Sequence, residues 1–175
     1  MTNKIKRVAL IGPESTGKTT LCQELADHFK THWVPEYARD YMARLHRDYT
    51  LDDIEHCSKK QLEREDELLQ EAKQFLFSDT ELIIAKVWCE DVFKICPAWM
   101  EKKIIEKKYD LYLLASPDLP FVPDSVRENP KRRDYFFSLY KQELEKRKFD
   151  FSIIDGKGTT RFKNALKAIT KKFPN

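Results

Sequence analysis

Glycine is scarce in this sequence, with four in 175 residues, about a third of an ordinary usage near 7%. That excludes collagen-like and Gly-linker architectures. Long apolar runs are absent too. None approaches the roughly 18 residues of a membrane-spanning helix, and the opening MTNKIKRVAL lacks the apolar core and cleavage site of a secretory signal. The expectation is a cytoplasmic protein with no membrane attachment. Cys22, Cys57, Cys89 and Cys96 contain no C-x-x-C pair, which argues against a zinc site or disulfide framework and for buried thiols. Charge of one sign is lacking as well: 32 Lys and Arg face 29 Asp and Glu, a net +3. No nucleic-acid surface is expected, whereas a small acidic substrate fits.

What is present is 41% hydrophobic residues in a chain of one domain's length, read as a single domain over 1–175. Val8-Ala9-Leu10-Ile11 is apolar on successive residues, as in a parallel strand covered on both faces. Further short apolar runs are Trp33-Val34, Phe75-Leu76-Phe77, Leu111 to Ala115 and Phe149 to Ile154. Helical periodicity fills the gaps over 19–30, 37–46, 51–73, 82–95, 99–108, 131–148 and 160–172. In the longest, Leu51, Ile54, Cys57, Gln61, Leu62, Leu68, Leu69 and Ala72 share one face. Alternating strand and helix predicts an α/β fold, a five-stranded, mainly parallel sheet between two helical layers. One loop-like stretch remains, about 116–134, where Pro117, Pro120, Pro123 and Pro130 forbid a long helix. A loop of that length after the fourth strand lies at the sheet edge where open α/β folds bind ligands, and is read as a lid.

Directly after the first strand stands Gly12-Pro13-Glu14-Ser15-Thr16-Gly17-Lys18-Thr19-Thr20, matching G-x-x-x-x-G-K-[ST] and leading into a helical pattern. Backbone N–H groups of such a loop converge on phosphate oxygens. Lys18 would reach the β- and γ-phosphates of ATP, and the Thr19 hydroxyl would bind Mg²⁺. No N-K-x-D guanine-reading motif occurs, and Asp155-Gly156-Lys157-Gly158 follows the last strand with no room for one downstream. A small-molecule kinase is therefore the leading class. Phosphoryl transfer needs an oriented acceptor, a metal and positive charge on the moving group. Asp79 at the end of strand three is a candidate for Mg²⁺, with a helix N-cap as its alternative role. Glu36 after strand two is a candidate to take a proton from the acceptor hydroxyl, with a solvated helix start as its alternative. Arg127, Arg132 and Arg133 are candidates to close over the phosphates. Lys102-Lys103, Lys107-Lys108 and Lys146-Arg147-Lys148 read as solvated helix faces, and His28 and His32 as surface residues.

The segments GPESTGKTTL, VPEYARDY, DTELIIAKVWCE and DLYLLASPDLPFVPDSVRENPKRR together resemble the ribosylnicotinamide kinase domain at the C-terminus of NadR-type NAD-biosynthesis proteins, a P-loop kinase family. The resemblance implies transfer from MgATP to the 5′-hydroxyl of nicotinamide riboside, giving nicotinamide mononucleotide. It implies that Gly12 to Thr20 bind ATP, that Glu36, Tyr37, Arg39, Gln61 and Asp79 serve the acceptor, that Arg127 and Arg133 act from the lid, and that Gly156, Lys157 and Gly158 pack near adenine. There is no H-x-G-H motif, so only the kinase reaction is implied. The pattern is broken at Pro35, where some members carry a tryptophan, and at Leu62-Glu63, where an aromatic can follow the glutamine. Trp88, Tyr37 or Tyr41 would then supply the stacking surface for the acceptor ring. Another nucleoside, nucleotide or sugar as acceptor, or a non-catalytic ATP sensor, are the competing readings.

Overall fold

The structure, a computed structural model, describes residues 4–174. Five strands, β1 (Lys6–Ile11), β2 (His32–Val34), β3 (Phe75–Asp79), β4 (Leu111–Ala115) and β5 (Phe151–Ile154), form one sheet in the order β2-β3-β1-β4-β5. Every pairing is parallel. The order reverses at β1, which lies between β3 and β4, so its carboxyl end opens at the switch point where such sheets bind ligands.

Period-two alternation divides β1 between two cores. Val8 and Leu10 pack with Leu21 and Leu25 of α1 (Lys18–Phe29) and Ala165 and Ile169 of α7 (Thr159–Lys172). Ala9 and Ile11 face the opposite layer, built from Ile54 of α3 (Leu51–Leu69), Ile83 of α4 (Leu82–Phe93), Met100 of α5 (Ala98–Glu106) and Leu144 of α6 (Arg133–Lys146). A seven-residue α2 (Tyr37–Ala43) links β2 to α3. The result is the α/β/α sandwich that the alternation predicts. No helix among the described residues is long and apolar enough to cross a membrane.

Few glycines leave other residues to end helices. Lys30 follows α1 at φ 52°, donating to Asp27 O while Thr31 donates to Ala26 O. Lys148 follows α6 at φ 54°, donating to Glu145 O while Phe149 donates to Leu144 O. Both are Schellman ends with lysine at the left-handed position that glycine usually takes.

Two sequence expectations are corrected here. On α3 the buried side is Asp53, Ile54, Cys57, Ser58, Gln61 and Glu65, and the helix ends at Leu69 with Leu68 and Leu69 half-buried. The stripe turns to Glu65 because its buried carboxylate takes the Tyr109 hydroxyl at 2.6 Å and the Arg7 guanidinium, pinning α3 to β1 and the start of β4. Arg147 is not a solvated face either. It is nearly buried, reaching Glu101 at 2.6 Å and Glu143 at 2.9 Å beside the buried Lys86, and so ties α4, α5 and α6 together.

Candidate active site

At the end of β1 the chain turns at Gly12 (φ 148°), where a Cβ would stand 2.7 Å from the Ala115 carbonyl oxygen. Glycine alone lets the loop pass so close to β4. Gly17 (φ 73°) begins α1 without a side-chain cap, and the first turn carries no acidic residue. The free N–H groups there are left for an anion. The Lys18 ammonium is folded onto its own loop, 2.9 Å from Gly12 O and 2.8 Å from Pro13 O. Burial lowers its pKa, against the opposing pull of Glu36, Asp79 and Glu14.

Thr19 donates its hydroxyl to Asp79 Oδ2 at 2.6 Å. Asp79 is the buried last residue of β3, and burial raises its carboxyl above the ordinary range despite Lys18 and Thr19. Its Oδ1 has no hydrogen-bond partner among the described residues. Helix α4 is capped instead by Glu81, which accepts from Ile83 N at 2.8 Å. This removes the capping role as an explanation for Asp79. Between them Thr80 sits at φ 79°, a strained conformation for a β-branched residue of the kind that collects at functional sites.

Glu36 follows β2 and is half-buried across the cleft from the phosphate loop. Burial, reinforced by the Asp79 carboxylate and opposed by Lys18 and Arg39, raises it to about 7. Gln61 of α3 accepts the Tyr37 N–H at 2.8 Å through Oε1, and its buried Nε2 has no partner among the described residues.

Lys18, Thr19, Glu36 and Thr80 open into one cavity of about 650 Å³, a volume suited to small-molecule ligands. The phosphate loop from Gly12 to Thr20 forms one wall, Glu36, Arg39 and Trp88 another, and Arg127 and Arg133 the roof. Asp79 lies behind Thr19. A pocket of about 40 Å³ adjoins it, lined by Gln61, Cys57 and Leu62 and sharing Glu36, Thr80 and Trp88 with the larger space.

The roof is irregular chain over residues 116–132, leading into α6 at Arg133. Arg133 donates to Leu119 O at 2.8 Å and Ser15 O at 3.2 Å. Ser15 Oγ donates to Val122 O and accepts from Val122 N. Glu14 accepts the N–H groups of Glu128 at 3.1 Å and Asn129 at 3.0 Å. Asp124 pairs with both Arg39 and Arg127. Arg132 turns outward to Asp91.

Not every residue singled out in the sequence joins the cavity. The Tyr37 ring lies between Tyr41 and the Arg64 guanidinium, outside it. Gly156, Lys157 and Gly158 share the same sheet edge but stand away from the lining, with Gly156 N donating to Asp118 Oδ2 at 2.7 Å. Tyr49 lines the cavity and was missed. The available signal was its place just before the Thr50–Asp53 capping box, which fixes the start of α3 at the cleft.

The AAA domain family matches residues 7–161 of the chain. The trifunctional NAD biosynthesis/regulator protein NadR of Escherichia coli (strain K12) is 28% identical over 153 residues, spanning 84% of this chain. The chain spans 37% of that relative's length. Among solved structures, NadR protein in complex with NR superposes with a TM-score of 0.85 at 26% identity, covering 97% of this chain and 52% of that one. Deoxyadenosine kinase from M. mycoides, at 13% identity and a TM-score of 0.63, covers 94% of this chain and 99% of its own, a likeness of fold.

Proposed function

The chain belongs to the AAA domain family, and from that premise we propose that it is an ATP-dependent kinase that phosphorylates the 5′-hydroxyl of nicotinamide riboside. The observation that carries this reading is the pairing, across one cavity, of a phosphate-loop lysine with a carboxyl poised near neutrality. The likeness to NadR, whose solved structure holds NR, supports the choice of acceptor.

In the proposed mechanism, backbone N–H groups of Gly12 to Thr19 and the Lys18 ammonium cradle the β- and γ-phosphates of ATP. Lys18 exchanges its two carbonyl partners for phosphate oxygens. Thr19 and Asp79 are the residues that would hold Mg²⁺, whose chemistry is to neutralise charge on those phosphates. The unpartnered Asp79 Oδ1 beside the Thr19 hydroxyl fits that role. Glu36 accepts the proton as the 5′-oxygen bonds to the γ-phosphorus and the bond to the ADP oxygen breaks. A base near 7 is well matched to that task at neutral pH. Asp79, already engaged by Thr19, is left to the metal. Arg127 and Arg133 add positive charge above the transferring group, and Trp88 and Gln61 form the side where the acceptor's ring would lie.

Purified protein incubated with MgATP and a panel of nucleosides is expected to yield nicotinamide mononucleotide, and the Lys18→Ala variant none while remaining folded by circular dichroism. Phosphorylation of a pyrimidine deoxynucleoside in place of nicotinamide riboside would overturn the acceptor. Leu62, an aliphatic residue on the pocket that adjoins Glu36, is the feature that favours that second reading.

A further inference from the structure

The lid carries no regular structure that would hold it in place, so its position rests on discrete bonds. Several come from the phosphate loop and were described above. One comes from the opposite wall. Trp88 Nε1 donates to the Tyr49 hydroxyl at 3.1 Å, and that hydroxyl lies 3.2 Å from Glu128 Oε2. An indole nitrogen only donates, so the Tyr49 oxygen accepts from Trp88 and its single proton goes to Glu128. The direction of the relay is thereby set by chemistry. Tyr49 itself is held firmly. Its ring packs edge-on against Trp88 at 5.0 Å and 70°, and the next residue caps α3 through the reciprocal Thr50–Asp53 bonds. Glu128 is thus gripped from two sides, its backbone N–H by Glu14 of the phosphate loop and its side chain by Tyr49 of the acceptor wall.

We propose that Glu128 is a positioning residue, through which Tyr49 and Glu14 jointly fix the lid over the phosphate loop and with it the neighbouring Arg127. The inference rests on the kinase reading for its purpose, because Arg127 is the group being positioned.

The lid contains a trypsin site after Arg127, immediately before Glu128, and cleavage there, followed by mass spectrometry without any acceptor and normalised for each variant to the cleavage rate of a synthetic peptide of its own lid sequence, reads how often the lid opens. Tyr49→Phe keeps the ring and removes the hydroxyl, and Glu128→Ala removes the acceptor oxygen from an exposed side chain. Each is expected to speed cleavage about fivefold, the scale of one hydrogen bond, with the melting temperature unchanged. The double variant is expected to match Tyr49→Phe, since Glu128→Ala breaks a bond that Tyr49→Phe has already removed. Glu128→Gln, whose amide oxygen still accepts from Tyr49, is expected to behave as wild type. Wild-type cleavage rates in Tyr49→Phe, or additive effects in the double variant, would overturn the proposal. A wild type inert toward nicotinamide riboside but with a lid loosened by Tyr49→Phe would remove the acceptor assignment and leave this positioning role standing. Turnover of nicotinamide riboside with a lid indifferent to Tyr49→Phe would do the reverse.

Discussion

Half-burial beside Asp79 puts the Glu36 carboxyl at about 7, with consequences for both rate and stability. As a proton acceptor it must be ionised, so kcat/KM for the acceptor is expected to rise with pH through a midpoint near 7, and Glu36→Gln to abolish that limb along with most of the activity. Stability runs the other way. An acid whose folded pKa lies above its ordinary value costs nothing at low pH, where both states are protonated, and costs most above the folded pKa, where the folded state must hold the charge. Glu36→Gln is therefore expected to raise the melting temperature at pH 8 and leave it unchanged at pH 3.5, as followed by thermal denaturation. An unchanged melting temperature at pH 8 would contradict the burial account. The residue itself was legible in VPEYARDY as a carboxylate after strand two, with a solvated helix start equally open. Only the fold brings it opposite Lys18 and Asp79, groups distant in sequence, and so decides its environment. Tyr37 shows the limit of the same reading: one position along, its ring turns to Tyr41 and Arg64 instead of the cavity.

At the level of helices, the shortage of glycine appears as strain at the ends of α1 and α6. Lys30 and Lys148 occupy left-handed backbone that disfavours any residue with a Cβ. Lys30→Gly and Lys148→Gly are each expected to stabilise the protein by about 0.5–1 kcal/mol, a gain of a few degrees in melting temperature for a domain of this size. A loss of stability at both would show that the lysine side chains outweigh the strain. Strands were legible to within about two residues at their ends, because apolar runs at the centre of a doubly covered sheet have few competing explanations. Helix faces were less so. Hydrophobicity alone places the α3 stripe toward Leu68 and Leu69, whereas Arg7 and Tyr109 make a buried glutamate at Glu65 the better partner. Ion pairs between distant segments leave no periodic signal.

For the whole molecule, a ligand that bridges the phosphate loop and the lid binds the folded state alone and stabilises it by mass action. MgATP at a hundred times its Kd is worth about 2.7 kcal/mol, or roughly 5–10 °C in melting temperature at a few degrees per kcal/mol. Lys18→Ala is expected to remove most of that shift in differential scanning fluorimetry, and a full shift in the variant would contradict the phosphate-binding role. The strand order adds a consequence for how the chain is made. β1 pairs with β3 and β4, so Val8 to Ile11 leave the ribosome long before either neighbour exists. At a synthesis rate of about 5–20 residues per second, the strand that carries the phosphate loop waits roughly 5–20 s for Leu111 to emerge. Until Leu111 emerges, these four consecutive apolar residues keep at least one edge of unpaired backbone open to other chains. The piece of the molecule most committed to its nucleotide in the finished protein is thus the strand that waits longest for its partners while the protein is being born.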